Sequence, residues 1–168
     1  MVALDARAMV DLWQQHVYAE FVLKDPEAAL ATMTEDAYVL MVPLGIGGFG
    51  KEGVRRFYTD SFIPNIPPDI TPTPISQTVG QNRLVEEALY RFTHTIAMEW
   101  MLPGIPPTNK PVELVIVGII EFRDDKIAGE HLHWDQASVL AQLGIIPTTP
   151  ATGGSDPNRR LRELVSSR

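Results

Sequence analysis

The chain has 168 residues, a length that fits one domain with a core of its own. It carries 14 basic against 21 acidic side chains, a formal net charge of −7, and 45% of its residues are hydrophobic. That balance repels phosphate backbones and no Lys/Arg cluster opposes it, so nucleic-acid binding is not expected. The lack of cysteine removes disulfides, thiolate metal sites, cysteine nucleophiles and CxxC redox chemistry together. No window approaches the roughly 18 uninterrupted apolar residues of a membrane span. Met1 to Leu12 has no apolar signal core, so a cytoplasmic protein without a membrane partner is expected.

Met9, Leu12, Trp13, His16, Val17 and Phe21 recur at spacings of three and four, which predicts an amphipathic helix. Asp25-Pro26-Glu27 starts a second helix, with a capping carboxylate, a proline at the first helical position and an acid in the first turn. That helix runs through Ala28, Ala29, Leu30 and Met33. A short strand, Ala37 to Val42, stops at Pro43. Gly45, Gly47, Gly48 and Gly50 predict a flexible turn before a further amphipathic stretch, Lys51 to Phe62, with Val54, Phe57, Tyr58 and Phe62 on one side. The glycines have neither the lysine of GxxxxGK[ST] nor a strand–GxGxxG–helix context, so a turn explains them better than a phosphate site. Pro64, Pro67, Pro68, Pro72 and Pro74 read as a rim loop.

From Leu84 to Trp100 the pattern has period two. Leu84, Ala88, Tyr90, Phe92, His94, Ile96, Met98 and Trp100 share one face, with Glu86 the exception on it. Val112 to Phe122 is apolar on both faces, Leu114, Ile116 and Ile120 against Val115, Val117 and Ile119. A strand of that kind is covered on both sides. Helices supply one cover; the other predicts a homodimer through the outer sheet face. Arg123 to Lys126 is a hairpin turn, Ile127 to Trp134 a last strand, and Gln136 to Leu143 a short helix stopped by Gly144. Pro147 to Asn158 is loop-like, and Arg159 to Val165 can form a loose terminal helix. Helices first and strands after predict an α+β fold, residues 1–146 forming one domain and 147–168 a C-terminal tail.

The densest polar run is Glu130-His131-Leu132-His133-Trp134-Asp135. On a strand, His131, His133 and Asp135 share one face, and Glu130, Leu132 and Trp134 the other. With His94 on the apolar face of its own strand, four groups are expected to converge on a cavity under the helices. A histidine beside a carboxylate is the minimal apparatus for proton transfer near neutral pH. Plainer roles stay open for each: a core histidine for His94, a helix cap for Asp135, a solvent or dimer face for His131 and His133. His-x-His with a third ligand is also a metal pattern, but no HExxH-like set accompanies it, so no metal is expected. No serine sits in GxSxG. Tyr38, Tyr58, Trp100 and Trp134 are candidate walls of an apolar ligand site, with His133 beside them.

Two N-terminal helices with KDPEAALATMTEDAYVLMVP, then GKEGVRRFY, then strands ending in GEHLHWDQASVLAQLGII resemble the SnoaL-like polyketide cyclase group of the nuclear-transport-factor-two-like superfamily, over about residues 8 to 146. The resemblance implies a cone-like fold, in which a curved, mostly antiparallel sheet wraps around the N-terminal helices and encloses one deep apolar pocket. Outer-face dimers are common in that group. Its active members are cyclases, isomerases, dehydratases and epoxide hydrolases that use acids and bases without metal or organic cofactor. Carried onto this chain, the cyclases' acid/base aspartate falls on Asp135 and the pocket histidine on His94 or His131. Ketosteroid isomerase relatives place a general base before a proline on the first strand; here that residue is Val42, which argues against that route. A dienelactone hydrolase label would need a cysteine nucleophile, which is missing. The expected function is a cofactor-independent cyclase, isomerase or lyase acting on a small apolar substrate. The alternative is a non-catalytic dimeric module that binds a hydrophobic metabolite.

Overall fold

In a computed structural model, which describes residues 4–154 and 156–166, the first apolar stripe becomes helix α1 (Ala6–Tyr18). The Asp5 carboxylate caps it by accepting the Ala8 N–H at 2.8 Å, and Met9, Trp13 and His16 are its buried residues. α1 runs on into a π-helical turn, Ala19–Leu23, whose end is marked by Lys24 at φ 52°. Asp25 then caps α2 (Pro26–Ala31) through the N–H groups of Glu27 and Ala28, at 2.9 and 3.1 Å.

The strands are β1 (Met33–Met41), β2 (Ile46–Phe49), β3 (Thr71–Val79), β4 (Arg83–Thr93), β5 (Pro111–Arg123) and β6 (Lys126–His133). They form one curved sheet in the order β2-β1-β6-β5-β4-β3, antiparallel except for the parallel pair β1/β6. Between β2 and β3 lie α3 (Gly50–Arg56), a second π-helical turn (Phe57–Phe62) and a 3₁₀ turn (Ile63–Asn65). After β6 comes α4 (Gln136–Gln142), closed by Gly144 at φ 73°, and the chain ends in α5 (Arg159–Ser166). Asn158 donates to the Glu113 carbonyl at 2.7 Å and Arg162 pairs with Glu113, so the terminal segment lies against β5.

Three expectations need correction. The glycine run is more than a flexible turn: Ile46–Phe49 is an edge strand paired with β1. A side chain at Gly48 would put its Cβ 2.4 Å from the Gly53 carbonyl oxygen, so close packing of the hairpin on α3 demands glycine there. The proline-rich segment is a rim only as far as Ile70. Pro72 and Pro74 belong to β3, an outermost strand where a missing N–H on the open side is tolerated. The strand expected to reach Trp100 ends at Thr93. Beyond it the His94 N–H bonds Lys110 O and the Asn109 N–H bonds His94 O, both at 3.0 Å, which closes a loop.

Register fixes what each face holds. β4 and β5 pair from Arg83↔Glu121 to Thr93↔Pro111, which aligns Leu84, Glu86, Ala88, Tyr90 and Phe92 with Ile120, Gly118, Ile116, Leu114 and Val112. Those β5 residues other than Gly118 are buried core, whereas Val115, Val117 and Ile119 are half-buried on the convex face. α1, α3 and the second π turn fill the concave side and bury Trp13, Val54, Phe57, Tyr58 and Phe62 against it. Among the described residues no helix is long and apolar enough to cross a membrane.

Candidate active site

Helix α1 and strand β6 each send one charged residue into the concave interior. His16 faces inward with Met9 and Trp13 because it sits on the same helical stripe. Glu130 faces inward because the strand alternation that turns His131 out turns its neighbour in. Glu20 arrives by the first π turn. The N–H groups of Lys24 and Asp25 both bond Ala19 O, a wider turn than an α-helix allows, and it places Ala19 and Glu20 inside while Val22 and Leu23 are exposed. Tyr58 comes from the second π turn and Thr32 from the end of α2. All five are buried.

Following the hydrogens through this cluster gives its protonation state. The Thr32 hydroxyl donates to Ala29 O at 2.7 Å, so its oxygen accepts Nδ1–H of His16, also at 2.7 Å. Tyr58 donates its hydroxyl hydrogen to Glu130 Oε1 at 2.7 Å, so its oxygen accepts Nε2–H of His16 at 3.0 Å. Both ring nitrogens therefore donate, and His16 is an imidazolium. Its Nε2 lies 3.2 Å from Glu20 Oε1 and 3.6 Å from Glu130 Oε1. Trp13 stacks on the ring at 5.6 Å between centroids and 17° between planes, a cation over an indole face.

Burial alone would pull the His16 pKa down; the charge of Glu20, then the contacts with Glu130, outweigh it and carry the value to about 10. Burial pushes the Glu20 carboxyl up, against the pull of His16, and the charge of Glu130 pushes it further. Burial, with the nearby Glu130 and Glu20 charges, holds the Tyr58 phenol well above its ordinary range, so it stays a hydrogen donor. His16, Glu20 and Glu130 offer ligand atoms within 4.8 Å of one another, a spacing that also suits a metal ion. An imidazolium has no lone pair to give one, so in this protonation state the cluster is an ion-pair network.

An apolar cavity leads to the cluster. An outer vestibule of about 450 Å³ opens between α1 with its π turn and the rim Ile66–Pro72, walled by Trp13, Val17, Phe21, Pro67, Ile70 and Tyr90. Trp13, Val17, Phe21, Ile70, Glu86 and Tyr90 are shared with an inner recess of about 40 Å³, which Phe62, Trp100, Glu20 and Glu130 also line. The two glutamates thus reach the cavity, and His16 and Tyr58 stand behind them. Glu86, the odd acid on the apolar face of β4, accepts Trp13 Nε1–H at 2.7 Å and a Gln77 amide hydrogen at 3.3 Å.

The expected convergence of His94, His131, His133 and Asp135 does not occur. Asp135 is exposed and caps α4, accepting the Ser138 N–H at 3.0 Å. His94 is buried in the loop after β4, where Nδ1 accepts the Thr108 N–H at 3.3 Å and Nε2 has no partner; burial lowers its pKa. His131 and His133 lie on the convex face, 5.8 Å apart between ring centroids, with His131 edge-on to Tyr38. Tyr38 stacks on Phe49 there, far from the cavity lining. Of the expected walls, Trp100 lines the recess, Trp134 packs behind it at 6.5 Å, and Tyr58 belongs to the polar cluster itself. His16, Glu20, Glu86 and Glu130 were not expected as site residues. Each carried a signal: a histidine or an acid in an otherwise apolar stripe, and an acid four residues after that histidine.

A curved, unclosed six-stranded sheet with helices packed into its concave face over a buried polar cluster defines the class of this fold. The SnoaL-like domain family matches residues 6–130, and the chain belongs to it. Among solved structures, a protein described as a SnoaL-like polyketide cyclase from Jannaschia sp. CCS1 is similar with a TM-score of 0.68 at 16% identity, covering 84% of this chain and 94% of that one. IdmH from Streptomyces antibioticus, described as a polyketide cyclase, gives 0.58 at 25% identity over 80% and 97%. A protein from Bacillus cereus ATCC 10987 with the same description gives 0.59 at 21% over 84% and 83%. No curated protein matches the chain.

Proposed function

We propose that this SnoaL-like domain is a cofactor-independent acid/base enzyme of cyclase or isomerase type, acting on a small apolar molecule with an acidic C–H next to a carbonyl. The observation that carries this reading is the pair of buried carboxylates, Glu20 and Glu130, at the inner end of an apolar cavity with one imidazolium between them. Pairs of acids in unlike environments divide acid and base roles. Glu130, anchored by Tyr58, takes the proton from carbon. Glu20 takes the Nε2 proton of His16, 3.2 Å away, and hands it to the oxygen that gains charge. In an isomerisation Glu130 returns its proton to another carbon, and the proton on the oxygen goes back through Glu20 to His16. In a cyclisation the carbanion attacks a second carbonyl of the same molecule, whose oxygen takes the Glu20 proton. After a cyclisation His16, which lies between the two carboxylates, takes the proton held by Glu130, and the cluster is reset. Loss of water from such a product is the lyase variant of the same chemistry. The neighbours described as polyketide cyclases favour cyclisation among these. His16, Tyr58 and Thr32 act here as positioning residues.

Deuterium wash-in from D₂O at the carbon next to the carbonyl of apolar ketone probes, followed by proton NMR, tests this. Glu130→Gln and Glu20→Gln are each expected to slow exchange at least about a hundredfold, the usual worth of a general base or acid, while Asp135→Asn exchanges like the wild type. Wild-type exchange rates in both glutamine variants would remove the mechanism and leave the non-catalytic binding module. The half-buried outer row Val115, Val117 and Ile119, with Val85 in register beside Ile119, supports a homodimer through the convex face. Sedimentation equilibrium decides that point, and a monomer at micromolar concentration sinks it.

A further inference from the structure

We infer that the molecule bound in this cavity carries a protonated amine, and that Glu86 receives it. The inference rests on the cavity being the ligand site and adds the ligand's charge to that reading. Glu86 lines both the vestibule and the recess. Its two hydrogen-bond donors, Trp13 and Gln77, are neutral. Among the described residues no Lys, Arg or His nitrogen pairs with it, whereas on the same sheet Glu121 pairs with Arg83 and Glu113 with Arg91. Carboxylates such as Glu99 and Asp60 also lack a cation, but they are exposed to water; Glu86 is half-buried in the wall of an apolar cavity.

A second observation points the same way. Glu20 is 3% exposed and lines the recess, and its Oε1 accepts no hydrogen bond, having only the His16 ion pair at 3.2 Å. Three carboxylates, Glu20, Glu86 and Glu130, thus border a space whose one nearby positive group is the His16 imidazolium. Among the described residues no Lys or Arg lines the recess, and Lys24 alone of them lines the vestibule. A ligand anion has no cationic partner at the inner end. An ammonium finds carboxylate oxygens and the rings of Trp13, Phe21 and Tyr90, the surroundings in which a cation is held by ring faces as well as by charge.

Three probes of equal length, a phenylalkylamine, a phenylalkanol and a phenylalkanoate, separate charge from apolar burial. Their dissociation constants are measured by calorimetry at pH 7 on the wild type, Glu86→Gln and Asp135→Asn. The amine is expected to bind about tenfold or more tightly than the alcohol, roughly one desolvated cation contact, with the carboxylate weakest. Glu86→Gln brings the amine to the level of the alcohol, and Asp135→Asn leaves the ratio as it was. The inference is overturned if the carboxylate binds as well as the amine, if the preference survives in Glu86→Gln, or if none of the three binds at millimolar concentration. The order of the probes on the wild type decides even if Glu86→Gln does not fold. Because the readout is affinity, the amine order can stand while the wild-type-like exchange of Glu20 and Glu130 variants removes the catalytic reading, and the reverse.

Discussion

Glu130 and His131 are neighbours in the chain and live in opposite surroundings. One faces the concave interior, tied to Tyr58 and His16; the other faces outward beside Tyr38 and His133. The histidines show the same contrast among themselves. His16 has both nitrogens engaged and two carboxylates near, while His94 and His131 each keep a buried Nε2 without a partner. The kind of residue says less about chemistry than the number of charged neighbours its face supplies.

Replacing the inner histidine tests that contrast most severely. His16→Leu leaves Glu20 and Glu130 buried without their cation, and removing one partner of a buried ion pair costs about 3–5 kcal/mol. His131→Leu on the outer face is expected to change stability by less than about 1 kcal/mol. Urea unfolding of the two variants measures the gap, and equal losses would show that the inner cluster is not held by charge.

The pH dependence should split by region. The folded-state pKa of His16 lies above its ordinary 6.5, at about 10, so the stability it contributes is complete below pH 6.5 and is lost as pH rises toward 10. Glu20, also raised, acts in the same direction at lower pH. His94 and His131 are lowered by burial, so their contribution is present above pH 6.5 and is lost on acidification. Thermal melts from pH 5 to 10 should therefore show an alkaline decline that His16→Gln abolishes, and an acid decline that His94→Gln and His131→Gln reduce. An unchanged alkaline limb in His16→Gln would contradict the imidazolium assignment.

The smallest effect belongs to Asp135. Asp135→Ala should cost about 1 kcal/mol as a lost cap, and Asp135→Asn almost nothing. A larger loss of stability in Asp135→Asn would mean the carboxylate charge matters beyond capping.

Much of the frame is legible in the sequence. The α+β class, the caps at Asp25 and Asp135, the stop at Gly144 and the doubly apolar β5 come from period and punctuation, which are local properties. β3 is hidden because its two prolines read as loop, and only its position at the sheet's edge makes them harmless. The site is misplaced by the sequence for a different reason. The alternation of Glu130 and His131 is plain, but nothing in one strand says which face is concave. That is decided by the helices packed against it. His16 is visible as the polar member of an apolar stripe, Glu86 as the acid on an apolar face; their partners lie far away in the chain.

The two π turns bear on how this site is inherited. Each delivers one cluster residue, Glu20 or Tyr58, and each differs from an α-helix by the extra residue its wider turn holds. Losing a single codon within either turn restores α-helical spacing and swings the residues beyond it by about 100° around the helix axis. Because Ala19 shares the first turn with Glu20, and Phe57 and Phe62 share the second with Tyr58, the length of each turn ties the polar cluster to the core packing around it.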